Sequence, residues 1–186
     1  MKDLKEELIF WTHYLAKKGL ISGSEGNLSI KIGSGFFITP SGKIKEIIQK
    51  RDLSYISFSK DTIIGNPSSE WGLHLEIYLK CKRAKAVVHC HPPFVLTLER
   101  LGFSFREFNH PEAQLLKNLS ILPYFPPGSY RLWEFASNLC RNNQIVILSK
   151  HGVITWGEQL EEAINLALLL EKLSYLEYLA KFGGKV

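Results

Sequence analysis

Cysteine is scarce in this sequence, and its few copies exclude one class of protein. The three cysteines, Cys81, Cys90 and Cys140, are odd in number and widely separated along the chain. A small secreted domain held together by disulfides carries a denser, even set, so we expect reduced thiols and a cytoplasmic location. The first seven residues, 1–7, are also too charged to form a signal peptide.

Long apolar runs and long runs of one charge are missing as well. No apolar stretch approaches the roughly 20 residues that a membrane-spanning helix needs, so we expect no membrane segment. The 23 lysines and arginines outnumber the 18 acidic residues and give a net charge of +5, but they are scattered along the chain. We therefore expect no nucleic-acid partner and only a mild attraction for small anionic molecules.

The hydrophobic pattern predicts alternating helices and strands. The predicted helices cover 3–18, 70–81, 93–99, 111–116, 130–141 and 158–181, with a short one within 44–52. The predicted strands cover 28–32, 36–39, 54–59, 62–64, 85–91, 120–124, 144–148 and 153–156. Several strand pairs are joined by short turns and are typical of hairpins. We expect one domain over 1–186, with a three-layer α/β/α fold and a mixed, largely antiparallel central sheet.

One predicted strand ends in two histidines. The valine-rich segment 86–91 closes with His89, Cys90 and His91, and a double proline then stops it. Because side chains alternate between the faces of a strand, His89 and His91 share one face and Cys90 lies on the other. Two imidazoles on one face of a stiff strand end suit a transition metal. A pair of ordinary core or surface histidines is the alternative.

Three further residues could complete such a site. His151 lies in a break between two apolar strands. It is either a turn histidine at the surface or a third ligand that leaves a metal with an open position. Glu70, at the start of a predicted helix, is either a partner of the helix dipole or a general acid/base. His74 follows one turn later, and we expect it to support the site or pack, whereas a purely structural zinc would need His74 or Cys90 as a fourth ligand.

Two turns could form an anion site. Glycines in the turn 23–27 allow successive backbone N–H groups to point into one concavity. Ser68 and Ser69, which are candidate N-caps, offer hydroxyls beside the backbone donors of a helix start. Glu25 would have to point outward, because a carboxylate repels phosphate. Each feature alone is weak evidence, since glycine turns commonly just close hairpins. The candidate phosphate-binding residues are Gly26, Asn27, Thr39, Gly42, Ser68 and Ser69.

Together these segments resemble the class II aldolase/adducin family. They stand in the family's order and roughly its spacing, and the resemblance spans about residues 4 to 180, nearly the whole chain. The matching segments are Gly23-Ser24-Glu25-Gly26-Asn27-Leu28-Ser29, Ile38-Thr39-Pro40-Ser41-Gly42, Pro67-Ser68-Ser69-Glu70-Trp71 with His74, Val88-His89-Cys90-His91, and His151-Gly152.

The resemblance implies roles for these residues. His89, His91 and His151 match the family's zinc-binding histidines, although Co²⁺, Mn²⁺ or Fe²⁺ would also suit three imidazoles. Glu70 matches the catalytic acid/base, and the six candidate anion residues match positions that hold a substrate phosphate. The implied reaction is the zinc-dependent cleavage of a small phosphorylated ketose, through an enediolate, into dihydroxyacetone phosphate and an aldehyde. A homotetramer with its sites between subunits is implied as well.

One segment departs from the aldolase pattern. An ungapped count from His91 places His110 where aldolases of this family carry a catalytic tyrosine, and the residues 111–114 differ too. Either His110 or Glu112 could replace the tyrosine as proton donor, or the reaction could differ. A sugar-phosphate 4-epimerase and a methylthioribulose-phosphate dehydratase of the same family are therefore alternatives. An adducin-like interaction module is the alternative without catalysis, but such a module has no reason to keep three histidines and Glu70.

Overall fold

The computed structural model describes residues 3–183, and its elements follow the predicted alternation. The described helices are α1 (Leu4–Lys17), α2 (Trp71–Lys80), α3 (Pro93–Arg100), α4 (Tyr130–Cys140) and α5 (Leu160–Phe182), with 3₁₀ helices over Lys50–Asp52 and Pro111–Leu116. The strands are β1 (Asn27–Ile32), β2 (Gly35–Ile38), β3 (Ser54–Ser57), β4 (Ile63–Ile64), β5 (Ala86–Cys90), β6 (Leu119–Leu122), β7 (Ile145–Leu148) and β8 (Gly152–Gly157). The predicted domain span includes residues 1, 2 and 184–186, which lie outside the described residues.

The strands form one sheet in the order β4-β3-β2-β1-β5-β8-β7-β6. Neighbouring strands are antiparallel except for the parallel pair β6 and β7. Helices α1, α3 and α5 pack on one face of the sheet, and α2 and α4 cover the other. The predicted three-layer arrangement with a mixed, largely antiparallel sheet is confirmed.

Strand β5 lies near the centre of the sheet and is buried on both faces. Its residues Ala86, Val88 and Cys90 belong to the core beneath α5, whereas Val87 belongs to the core beneath α2 and α4. Full burial of each valine side chain contributes about 1.5–3 kcal/mol relative to exposure. The strand that carries the two histidines is therefore held firmly from both sides.

Two local predictions were wrong in detail. Neither Ser68 nor Ser69 is the N-cap of α2, because Glu70 occupies that position while the Ser68 N–H bonds to the Thr39 carbonyl. Strand β3 ends at Ser57, since a turn at Lys60, with a φ of 65°, reverses the chain toward β4. The short helix predicted within 44–52 is present as the 3₁₀ helix Lys50–Asp52, which follows a series of turns.

The strand pairing brings distant motifs to one edge of the sheet. Asn27, the first residue of β1, is the direct partner of His89 near the end of β5. Strand β8 begins at Gly152 beside this strand end, and an isolated bridge between Pro40 and Pro67 attaches the segment before α2. Within residues 3–183, no helix combines the length and the apolar character needed to cross a membrane.

Candidate metal centre

The three predicted histidines lie together at this edge of the sheet. The His89 ring centroid is 4.9 Å from those of His91 and His151, and the last two centroids are 5.6 Å apart. One nitrogen from each ring lies within 4.8 Å of the other two. Cys90 is fully buried in the opposite core, so the predicted alternation of side chains is confirmed. This cluster is the candidate metal centre.

A glycine makes the close approach of the rings feasible. A Cβ atom on Gly152 would lie 2.6 Å from Cδ2 of His91, 2.7 Å from Cε1 of His89 and 2.8 Å from the Cys90 carbonyl oxygen. Such distances are far inside van der Waals contact, so a larger residue would push the rings away. Lys150, two residues before Gly152, has a φ of 60° and turns the chain sharply between β7 and β8. This turn directs His151 back toward the end of β5.

The hydrogen bonds of the rings fit a metal. Nδ1 of His89 lies 3.2 Å from the Val153 carbonyl oxygen, which can only accept, so Nδ1 carries the proton and Nε2 presents a lone pair. Nε2 of His91 lies 3.2 Å from Nε2 of His89. Two nitrogens on one tetrahedral zinc lie about 3.3 Å apart, given Zn–N bonds of about 2.0–2.1 Å. The separation of the two ring nitrogens therefore fits two ligands of one tetrahedral ion.

Burial favours the neutral forms of His89 and His151 and leaves one ring nitrogen unpaired. Desolvation lowers the pKa of His89 well below its usual value and that of His151 to about 4. Neutral imidazole is the form that binds metals. Nδ1 of His151 is buried and has no hydrogen-bond partner among the described residues. An orphaned polar atom of this kind is expected where a group other than the protein belongs. The donor set therefore fits Zn²⁺ or another divalent transition metal.

Glu25 points toward the centre, so the expectation that it points outward was wrong. Its Oε2 lies 3.1 Å from Nδ1 of His91. Because an ionised carboxylate can only accept, Nδ1 of His91 donates, and in a neutral ring Nε2 then has its lone pair facing His89. A carboxylate behind a ligating histidine fixes the ring and strengthens it as a donor. Glu25 therefore supports the candidate metal centre.

Glu70 lies between the three histidines and the loop before α4. The residue is only 4 % exposed, and burial raises the pKa of its carboxyl, although a hydrogen bond from the Gly128 N–H opposes that shift. Its Oε1 accepts this bond at 3.1 Å, while Oε2 lies 3.1 Å from Nε2 of His89 without hydrogen-bond geometry. One oxygen is thus held by the backbone, and the other is left for a proton or a ligand.

A cavity of about 170 Å³ opens beside the histidines and Glu70. Of the six predicted phosphate-binding residues, Gly26, Asn27, Ser68 and Ser69 line it. Gly26 has a φ of 66°, and a Cβ there would lie 3.1 Å from the His89 carbonyl oxygen, so only glycine suits this turn. The other lining residues are Ser24, Glu25, Pro40, Ser41, Glu70, His89, His91, Pro127 and His151.

His74 orients Asn27 and cannot serve as a ligand. Its Nε2 donates to Oδ1 of Asn27 at 2.5 Å, and its Nδ1 lies 2.6 Å from Oγ of Ser29, which also contacts the Tyr78 hydroxyl at 2.7 Å. Full burial lowers the pKa of His74 to about 3, so the ring is neutral. Because both ring nitrogens are occupied, and because Cys90 faces the other core, neither predicted candidate for a fourth zinc ligand is available. The supporting role expected for His74 is confirmed.

Three predicted site residues lie outside the lining of this cavity. Thr39 is fully buried, and its Oγ1 accepts from the Leu28 N–H at 3.2 Å, so it ties β1 to the end of β2. Gly42 is exposed in the following turn. His110 caps the 3₁₀ helix Pro111–Leu116 and pairs with Glu112. Their roles in phosphate binding and proton donation stay predictions.

Two contacts at the site carried no clear sequence signal. Gly128, which donates to Glu70, stands in a Pro-Pro-Gly-Ser stretch that indicates only a turn. Lys45 is 1 % exposed and reaches under two of the loops around the cavity, yet it occurs in a stretch rich in lysine and isoleucine that predicts only a short helix. Both contacts depend on loop conformation, which a local pattern does not encode.

Comparison with known proteins agrees with this geometry. Residues 6–178 match the family described as the Class II Aldolase and Adducin N-terminal domain. The chain belongs to this family. An L-fuculose phosphate aldolase from Methanococcus vannielii is 34% identical over 178 residues, which cover 95% of this chain and 96% of the relative. A 3-oxo-tetronate 4-phosphate decarboxylase from Escherichia coli K12 is 30% identical over 96% of this chain and 87% of the relative.

Solved structures of the family share the fold. L-fuculose-1-phosphate aldolase from Thermus thermophilus superposes with a TM-score of 0.85 at 26% identity, over 98% of this chain and 97% of that one. The YgbL protein from Escherichia coli superposes with a TM-score of 0.87 at 28% identity, over 95% and 88% of the two chains. The resemblance drawn from the five motifs is confirmed. The decarboxylase relative adds a reaction that the motifs did not suggest.

Proposed function

We propose that this chain is a metal-dependent aldolase that cleaves and forms a small phosphorylated ketose related to L-fuculose 1-phosphate. The products of cleavage would be dihydroxyacetone phosphate and an aldehyde. The observation that carries the proposal is the meeting of three imidazoles, one buried carboxyl and an anion-sized cavity at a single edge of the sheet. The similarity to L-fuculose phosphate aldolases along nearly the whole chain supports it.

The residues divide the chemistry among them. His89, His91 and His151 would hold the metal, with Zn²⁺ as the expected ion. A bound divalent ion supplies Lewis-acid polarisation of the ketose oxygens. Glu70 moves the proton at the carbon that forms or loses the bond. Its raised pKa makes it a stronger base than an exposed carboxylate, and the Gly128 N–H holds it in position.

The cavity wall would hold the phosphate of the substrate. Asn27 accepts from His74 through Oδ1, and its Nδ2 has no partner among the described residues, so Nδ2 is free to donate to a ligand. Ser68 and Ser69 add hydroxyls on the opposite wall, and the turn at Gly26 adds backbone groups. Fixing the phosphate holds the reacting carbon near Glu70, which lowers the entropic part of the barrier.

Proton exchange tests this proposal without knowledge of the aldehyde. We expect the metal-loaded protein to exchange a carbon-bound proton of dihydroxyacetone phosphate in D₂O, followed by NMR, and a chelator to abolish the exchange. Glu70→Gln should bind metal normally and lose exchange. Glu76→Gln, on the same helix but paired with Lys80, is the matched control and should keep both properties. Full exchange by Glu70→Gln would refute the acid/base assignment.

Decarboxylation of a phosphorylated 3-oxo acid is a second candidate. The observation that favours it is the 30% identity to a 3-oxo-tetronate 4-phosphate decarboxylase over nearly the whole chain. Such a reaction needs the same metal, anion cavity and proton carrier, because negative charge also develops beside a carbonyl. Release of CO₂ from a 3-oxo-tetronate 4-phosphate, with no proton exchange into dihydroxyacetone phosphate, would favour this candidate over the aldolase.

Two parts of the proposal need their own measurements. We propose a homotetramer, as membership of this family implies, and light scattering gives the mass directly, so a monomer mass would contradict it. We also propose His110 as a proton donor. His110→Ala should lower turnover and leave the metal content unchanged, whereas unchanged turnover would remove His110 from the mechanism.

A further inference from the structure

Within residues 3–183, no lysine or arginine lines the cavity proposed to hold a phosphate. Among the described residues its polar lining consists of serines, one amide, two carboxylates and the metal-binding histidines. Both Glu25 and Glu70 add negative potential where an anion would bind. A dianionic group in such a cavity needs positive charge from the metal or from behind the wall.

Lys45 places a cation behind that wall. Its Nζ donates to the carbonyl oxygens of Ser24, Pro40 and Lys43, each at 3.0 Å. Ser24 and Pro40 line the cavity, so the ammonium group joins the two loops that form one side of it. The side chain is 1 % exposed, which is rare for lysine.

The three contacts fit the protonated form of Lys45. A neutral amine has two N–H donors, whereas an ammonium has three, and three carbonyl oxygens accept here. Burial lowers the pKa of Lys45, and the charge of Glu46 opposes that shift. No carboxylate lies within ion-pair distance of this nitrogen among the described residues. A buried cation without an anionic partner is costly, and it is retained where a ligand supplies the missing charge.

We propose that Lys45 is the positioning residue of the anion site: it clamps the Ser24 and Pro40 loops together and provides the fixed positive charge behind them that favours a phosphorylated ligand. The inference rests on the proposed function, since it names how that site selects its substrate class. Lys45 acts through the two loops and does not touch the ligand. Its loss should therefore weaken anion binding while leaving the metal in place.

Inorganic phosphate is the probe, with calorimetry on the metal-loaded protein. We expect Lys45→Met to weaken phosphate binding by about tenfold or more, because a nearby charge is lost from a partly buried site. Lys43→Met is the matched control. Lys43 carries the same charge two residues before Lys45, but its side chain is exposed and pairs with Asp52. The Lys43→Met protein should therefore bind phosphate within about twofold of the wild type.

Two further readouts separate this role from a purely structural one. The Lys45→Met protein should keep the metal affinity of the wild type and its affinity for dihydroxyacetone, which carries no charge. Equal weakening of both ligands would overturn the electrostatic role. Should Lys45→Met fail to fold, Lys45→Gln keeps two N–H donors on a side chain one bond shorter and removes the charge, so the same loss of phosphate affinity is expected.

The outcomes also distinguish this inference from the proposed function. Wild-type protein that binds metal but no phosphate overturns both the phosphorylated substrate and the role of Lys45. Wild-type binding that a folded Lys45→Met or Lys45→Gln protein retains overturns only the role of Lys45. A loss confined to phosphate supports both.

Discussion

Gly152→Ala should destroy the metal centre without unfolding the protein. The added Cβ would lie 2.6 Å from Cδ2 of His91 and 2.7 Å from Cε1 of His89. Carbon atoms pack at about 3.5 Å or more, so the two rings must move by about 0.8 Å. Metal–nitrogen distances tolerate only about 0.2 Å, so the displaced rings cannot both stay ligated. We expect at least about a hundredfold loss of metal affinity, or about 2.7 kcal/mol.

Competition with a chromophoric chelator measures this loss directly. Overpacking by one methyl group should itself lower the free energy of unfolding by about 1–3 kcal/mol, so a control with similar strain is needed. Gly157→Ala provides it, because a Cβ at this other end of β8 would lie 2.8 Å from Oε2 of Glu162, far along the strand from the histidines. We expect Gly157→Ala to keep normal metal affinity. Wild-type affinity in Gly152→Ala would refute the requirement for glycine.

Two further predictions concern single contacts. Glu25→Ala should weaken metal binding by about 10–100-fold, because His91 loses the carboxylate that orients it. Glu46→Gln is the control: it alters a carboxylate bonded to the Gly23 N–H of the same turn and should leave metal binding unchanged. Titration with a chelator measures both affinities, and equal affinity in the two variants would contradict the role of Glu25. Ser129→Ala should cost about 1 kcal/mol of unfolding free energy in urea, because its hydroxyl caps α4 by accepting from the Leu132 N–H; an unchanged midpoint would show that this cap contributes nothing.

The alternation of side chains between the two faces of a strand predicted the arrangement of His89, Cys90 and His91. His89 and His91 had to share a face, and Cys90 had to oppose them, because the pleat of a strand leaves no other arrangement. The antiparallel hairpins were predictable for the same reason, since short turns join their strands. The parallel pairing of β6 with β7 was not, because it connects segments separated by the whole of α4 and depends on how that helix packs.

Loop conformation limits what the sequence shows about the rest of the site. Glu25 was expected to avoid the cavity on charge alone, yet positive φ angles at Gly23 and Gly26 fold the turn so that its carboxylate meets His91. The N-cap of α2 was misassigned because a backbone bond from Ser68 to Thr39 outweighs the local capping preference. The position of the Glu25 carboxylate and the N-cap of α2 both depend on contacts between segments that are distant in sequence. The residues within each loop alone do not predict such contacts.

The position of His151 in the chain determines when the site can exist. His89 and His91 belong to the β5 strand and its end, but His151 follows only after α3, β6, α4 and β7 have been synthesised and β7 has been placed in the sheet. Bringing such distant segments together is the slow part of folding. A metal ion therefore finds its full ligand set only in the nearly complete sheet. We expect metal to slow unfolding and leave the folding rate unchanged, because the ion would stabilise the folded state and not the transition state for folding.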